Sequence, residues 1–276
     1  RSGELIAVYG DYDADGITGL VVLVSVLQSL GAHVRPYIPH RLTEEYGLNC
    51  EALAALHQEG VRVVLTVDCG IRSVSEIAYA RSLGLDVLVT DHHSIPDTLP
   101  PACALVNPKL PNSRYPFRDL AGVGVAYRVA QALLRAHRRL LKPAQPDPGL
   151  DEQALLDLVA LGTVADLVPL FGENRSLVRD GLQRLNATSR PGLLALIQAA
   201  GLRPGRIDSQ DIAFGLAPRL NAAGRLDTAL RAYELLSTPD TERAEALGAP
   251  GADRAALRAS QAGLARRAAR TSHTRR

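Results

Sequence analysis

Five aspartates and two histidines in this chain fall at spacings that could do chemistry. Asp11, Asp13 and Asp15 lie within Gly10-Asp-Tyr-Asp-Ala-Asp-Gly16. Asp68 lies in Val67-Asp-Cys-Gly70, and Asp91-His92-His93 form a third group. A single Asp after a strand is an ordinary cap or turn former. Three acid-bearing loops in succession are harder to explain that way, because carboxylates packed together repel and hold their protons. A divalent cation relieves that repulsion. Hard oxygen ligands with one imidazole suit Mn2+ or Mg2+ better than a thiolate-preferring metal. Two such ions, roughly 3.5–4 Å apart, are a common apparatus for phosphodiester hydrolysis.

For these loops to meet, the elements carrying them must end at one edge. Short β-branched runs occur at Leu5–Tyr9, Val61–Val67, Leu85–Thr90 and Ala102–Val106. Helical stretches alternate with them: Thr18–Leu30, Cys50–Glu59 with Asn49 as N-cap, and Ser73–Leu83, stopped by Gly31, Gly60 and Gly84 respectively. Gly past a helix end accepts positive φ at little cost. Strands alternating with helices predict an α/β fold with a parallel sheet flanked by helices. Ligands of such sheets gather at the carboxyl ends of the strands, where each acidic group falls.

Beyond Leu120 the pattern becomes mostly helical. Stretches are predicted from Gly122 to about Leu141, then Asp151–Leu161, Asn174–Leu185, Pro191–Ala200 and Asp227–Leu236, with a Pro-rich surface connection over Lys142–Gly149. These readings divide the chain into a catalytic domain over 1–236 (sheet core about 4–107, helical part about 119–236), the start of a connecting helix over 237–247, and an Ala/Arg-rich, disordered tail over 248–276.

Asp166, in Leu161-Gly-Thr-Val-Ala-Asp166-Leu-Val-Pro169, reads either as a turn cap before Pro169 or as a further acid of the site. Gly10 and Gly16 flank the first acids ahead of a helix, where a phosphate cradle is conceivable. No GxGxxG and no Lys-Ser/Thr pair is present, however, and a loop this acidic repels phosphate unless a cation is bound.

Composition adds bounds. The 276 residues are 46% hydrophobic with a net charge of +2, which fits a folded body and says little about partners. No apolar run approaches the roughly 18 residues of a membrane span. The three Cys show no CxxC spacing, which disfavours a thiolate zinc site and fits a reducing, cytoplasmic setting. With 4% aromatics and no Trp, base stacking would rest on few residues. The chain contains no Met and is read as a fragment or processed piece.

Together the motifs resemble the DHH phosphoesterase family and, within it, the RecJ-type single-strand DNA exonucleases. The resemblance covers about residues 4–247. It rests on the three acidic motifs with Leu120-Ala-Gly-Val-Gly-Val125, Ala160-Leu-Gly-Thr-Val-Ala-Asp166 and Pro218-Arg-Leu-Asn-Ala-Ala-Gly-Arg225, in that order. It implies Asp13, Asp15, Asp68, His92 and Asp166 as metal ligands of a two-metal Mn2+ or Mg2+ site, with Asp68 bridging. It implies His93 facing the scissile phosphate, and Asp11 and Asp91 supporting catalysis by orienting ligands and loops. Arg219, Asn221 and Arg225 are implied as phosphate-contacting or site-closing groups.

The implied activity is 5′→3′ hydrolysis of single-stranded DNA to 5′-mononucleotides, in DNA repair and recombination. Single-strand-binding protein and a helicase are implied partners, and no membrane. The chain stops before the second lobe that such proteins carry. The alternatives are a phosphodiesterase of short oligonucleotides or cyclic dinucleotides, or a truncated, inactive fragment. Many family members have His where this chain has Tyr9, from which one tight and one weaker metal site is expected.

Overall fold

The computed structural model describes residues 3–40, 47–140, 149–226 and 229–248, with 223–226 described through their backbone. Elements run in the order β1 (Leu5–Gly10), α1 (Ala14–Ser29), β2 (His33–Tyr37), α2 (Cys50–Gln58), β3 (Val61–Val67), α3 (Val74–Ser82), β4 (Asp86–Thr90) and β5 (Ala104–Val106). There follow α4 (Gly122–Leu140), α5 (Leu156–Ala165), α6 (Gly172–Asn186), α7 (Pro191–Ala199), α8 (Ala217–Leu226), α9 (Ala229–Ser237) and α10 (Thr241–Gly248). The sheet is entirely parallel in the order β2-β1-β3-β4-β5. From β1 the chain crosses to β2 on one side and then to β3 on the other. That reversal is the switch point at which open parallel sheets bind ligands.

The fold class agrees with the sequence expectation, which lacked two elements, β2 and α8. His33-Val-Arg-Pro-Tyr37 pairs with β1 from Leu5↔His33 to Tyr9↔Tyr37. Pro36 argues against a central strand, but an edge strand tolerates it because one side of its backbone pairs with nothing. A turn of π-helix, Asp211–Leu216, leading into α8 was likewise not predicted.

Two cores flank the sheet. On one face Leu53 and Leu56 of α2 and Ile77 of α3 pack against Ala7, Tyr9, Val64 and Val87. On the other, α1 lies against Val8, Leu65 and Val67, and α4, α5 and α9 pack over it. Thirteen of the sixteen α1 residues are buried, so this helix is apolar all round, as an enclosed helix should be. Asn49 caps α2 as predicted, its Oδ1 accepting from Ala52 N at 2.7 Å. Gly31, Gly60 and Gly84 end their helices at φ +78°, +90° and +81°. The expected Pro-rich connection, apart from Gly149, and the Ala/Arg tail beyond Gly248 lie outside the described residues. Among the described residues, no helix is long and apolar enough to cross a membrane.

Candidate metal centre

The sheet places the three acidic loops side by side. Asp11 N donates to Val67 O at 3.3 Å, Asp68 N to Thr90 O at 3.0 Å and Asp91 N to Val106 O at 3.0 Å. Each acid thus extends the parallel ladder by one bond onto the last residue of the neighbouring strand. The acids following β1, β3 and β4 form a single row.

From that row each side chain is aimed by its own local structure. Asp13 is the N-cap of α1, its Oδ1 accepting from Asp15 N at 2.9 Å and Gly16 N at 3.1 Å. Two positions on, Asp15 points across to α4. Its Oδ2 accepts from Gly122 N at 2.7 Å and its Oδ1 from Val123 N at 2.8 Å, the orphan donors of that helix start. Asp68 adopts φ +61°, a left-handed backbone that Asp tolerates better than most residues. Leu167, just after Asp166 at the end of α5, adopts the same φ. Strained residues beside candidate ligands are consistent with a functional site.

Three groups of candidate ligand atoms result, each with its atoms within 4.8 Å of one another: Asp11, Asp13 and Asp68; Asp15, His92 and Asp166; Asp68, His92 and His93. Asp68 and His92 are each shared between two of them. His92 Nε2 lies 3.1 Å from Asp68 Oδ1, 3.6 Å from Asp166 Oδ2 and 3.8 Å from Asp15 Oδ2. Asp166, ambiguous in isolation, therefore stands among the acids.

Protonation follows from this crowding. Burial, then the charges of Asp166 and Asp13, pushes Asp15 well above the usual carboxylate range, and the two backbone N–H bonds oppose them. Asp68 is pushed up by burial and by Asp15, Asp13, Asp11 and Asp166. Burial and the neighbouring His93 lower His92 to about 4, so it is neutral at pH 7. A neutral, buried imidazole nitrogen facing three carboxylates, and making no hydrogen bond of its own, fits a bound cation better than an ion pair. His93 behaves oppositely. It is raised by the hydrogen bond to Asp91, Nδ1 to Oδ1 at 2.7 Å. For Asp91, burial pushes upward, but the bonds from His93 and from Ile71 N outweigh it and hold the carboxyl below its ordinary value.

Most of the predicted residues meet here. Asp11, expected to support the ligands, offers an oxygen alongside Asp13 and Asp68, and its Oδ1 also accepts from Tyr12 N at 2.6 Å. Tyr9, on the opposite sheet face, directs its hydroxyl to Gly47 O at 3.0 Å. Asn221 Oδ1 accepts from Ala14 N at 2.8 Å, at the first turn of α1. Arg219 donates to Gly215 O at 2.7 Å. Arg225 lies on α8, and its side chain is outside the described residues.

Two contributors were missed. Asn107 Nδ2 donates to His93 O at 3.0 Å, and Lys109 Nζ to His92 O at 2.6 Å. The available signal was Asn107-Pro-Lys109 following a predicted strand, as the acids follow theirs.

Fold and site together define a parallel α/β domain built around a carboxylate–imidazole centre at its switch point, of the kind that holds hard divalent cations. The model of the DHH family, N-terminal domain, matches residues 5–163, and the chain belongs to that family. The single-stranded-DNA-specific exonuclease RecJ of Bacillus subtilis is 46% identical over 246 residues, 89% of this chain and 30% of that protein. A crystal structure of exonuclease RecJ bound to manganese superposes with TM-score 0.77 at 41% identity, covering 95% of this chain and 62% of that one. RecJ of Thermus thermophilus in complex with Mn2+ gives TM-score 0.73 at 38% identity, covering 95% of this chain and 36% of that one. The chain thus spans about a third of the length of the curated relative.

Proposed function

We propose that this chain is the metal-binding hydrolytic core of a single-stranded DNA exonuclease that works from the 5′ end and releases 5′-mononucleotides, in DNA repair and recombination. The observation that carries the reading is the sharing of Asp68 between two groups of candidate ligands. The likeness to exonucleases crystallised with manganese supports it. Asp11, Asp13 and Asp68 would hold one ion. Asp15, Asp68, His92 and Asp166 would hold the second, as Mn2+ or Mg2+. Because Tyr9 replaces the family's usual His, the Asp11–Asp13 ion would be the weaker of the two. Bound divalent ions supply charge stabilisation for phosphate oxygens and make water a competent nucleophile at neutral pH.

The chain's own groups do the remainder. Asp68 sets the separation of the two ligand groups. His92, neutral, offers a lone pair. His93, 42% exposed at its side chain and kept basic by Asp91, can donate to a phosphate oxygen of the scissile group. Asp91 fixes the tautomer and direction of that ring. Arg219, Asn221 and Arg225 would contact or close over the substrate's phosphates, the two Arg with their planar forks. Single-stranded DNA is the substrate, single-strand-binding protein and a helicase are the partners, and the setting is the cytoplasm.

The test is Mn2+-dependent release of mononucleotides from 5′-labelled single-stranded DNA, with Asp68→Ala as control. Release that the substitution abolishes is the expected result. Cleavage restricted to di- and trinucleotides would replace this reading by a small-substrate phosphodiesterase. Full release by Asp68→Ala would sink both.

A further inference from the structure

Nearly every backbone polar group of Asp91-His92-His93 is bound, and none of those bonds closes a helix. Asp91 Oδ1 accepts from His92 N at 2.7 Å and His93 N at 2.9 Å. Val106 O, at the end of β5, receives Asp91 N. The two histidine carbonyls are taken by Lys109 Nζ and Asn107 Nδ2. Asn107 is 4% exposed, and its Oδ1 accepts from Lys109 N at 2.9 Å, so the two residues brace each other across Pro108. Asp91 grips the tripeptide from its N–H side and the turn after β5 grips it from its C=O side.

We infer that Asn107 and Lys109 form a positioning clamp that sets the two imidazoles, with Lys109 governing the metal-facing His92 through its carbonyl and Asn107 governing His93. This rests on the metal-centre reading above. His92 Nε2 must fall among oxygens of three residues from three different elements, and His92 lies in a loop without secondary-structure bonds of its own. A ligand in such a loop is only as well placed as its backbone. The ammonium on its carbonyl removes the freedom to rotate that peptide away. Partners of this kind, one bond removed from a metal, change its affinity by about 10–100-fold when lost.

Lys109 also carries charge, and a positive charge beside a cation site weakens binding. The two effects therefore have opposite signs, and three variants separate them. Lys109→Met keeps the stem and loses donor and charge. Lys109→Gln keeps a donor without charge. Lys109→Arg keeps both.

The experiment is calorimetric titration of the metal-free chain with Mn2+. The visible spectrum of Co2+ bound in its place reports imidazole ligation, and thermal unfolding of the metal-free form controls for the fold. Expected is a loss of about tenfold or more in Mn2+ affinity for Lys109→Met, with an altered Co2+ spectrum. Lys109→Arg should restore both and Lys109→Gln should restore part, all with unfolding midpoints near the parent's. Should Lys109→Met fail to fold, Lys109→Gln decides: a folded variant that binds Mn2+ more weakly than the parent, with Lys109→Arg restored, supports the clamp, and one that binds as tightly as the parent or more tightly overturns it. Unchanged or tighter binding by a folded Lys109→Met overturns the clamp while leaving the metal centre standing. A parent chain that binds no Mn2+ overturns the metal centre, and the clamp with it.

Discussion

The side chain of Asp68 fills the space in which a side chain on Gly122 would begin. A Cβ on Gly122 would lie 2.6 Å from Asp68 Cβ, Cγ and Oδ1. The same residue gives its N–H to Asp15, so the start of α4 supports two acids at once and can do so only without a side chain. Gly122→Ala should therefore cost about 1–3 kcal/mol by overpacking. It should also weaken Mn2+ binding, because Asp68 is the group that must move. Denaturant unfolding and metal titration of the same variant check both. Full affinity would mean that Asp68 does not bridge.

Asp68 itself should destabilise the metal-free chain at neutral pH. Its folded-state pKa is raised by burial and neighbouring carboxylates, so the folded chain holds that proton more tightly than the unfolded one. The sign follows: its contribution is neutral below the ordinary value of 3.8, and stability falls as pH rises toward the folded-state value. Asp68→Asn removes this penalty. Without metal it should melt above the parent at pH 8, by about 2–4 °C for each kcal/mol gained, and the gap should close as pH falls toward 4. With saturating Mn2+ the order should invert, since ligand at 100 times Kd adds about 2.7 kcal/mol to the parent alone. Scanning calorimetry at several pH values, with and without Mn2+, is the measurement.

Asn221 completes the N-terminus of α1. Asp13 accepts from the second and third N–H groups of that helix, and Asn221 Oδ1 takes the first, on Ala14. Loss of a cap typically costs about 1 kcal/mol. Asn221→Ala should show that loss in thermal unfolding, and Asn221→Asp, which keeps the acceptor, should recover most of it. An Asn221→Ala chain as stable as the parent would return this residue to a contact with substrate alone.

The Asp91–His93 pair should be visible by NMR in the metal-free chain. His93 is raised above its ordinary 6.5 and Asp91 held below 3.8. The pair's stabilisation is lost as pH falls through the Asp91 value, and lost again as pH rises through the His93 value. Asp91→Asn should drop the His93 titration toward or below 6.5, because it removes the charge while an amide oxygen can still accept from His92 N, His93 N and the His93 ring. An unmoved His93 titration would show that the more distant carboxylates Asp166 and Asp11, not Asp91, set its basicity.

What the sequence determined by itself was local or periodic. Asp11, Asp13 and Asp15 within five residues, Asp91-His92-His93 after an apolar run, Asn49 before a helix and Gly31, Gly60 and Gly84 after helices all act through near neighbours. Their consequences can therefore be read without the fold. The alternation of short apolar runs with helices gave the parallel sheet, and with it the edge at which the acids meet.

Only the tertiary structure decided how those acids are used. Asp15 finds Gly122 and Val123 more than a hundred residues away, and Ala14 finds Asn221 more than two hundred away. Whether Asp166 caps a turn or joins a site depends on where α5 ends relative to His92. Asp11 and Asp68 become neighbours because β1 pairs with β3, and His33–Tyr37 becomes a strand only by pairing with β1. The pattern of one segment records how that segment buries its own apolar face. It does not record which distant donor will stand opposite a carboxylate, because that is fixed by the packing of α1 against α4 and α5 across the sheet.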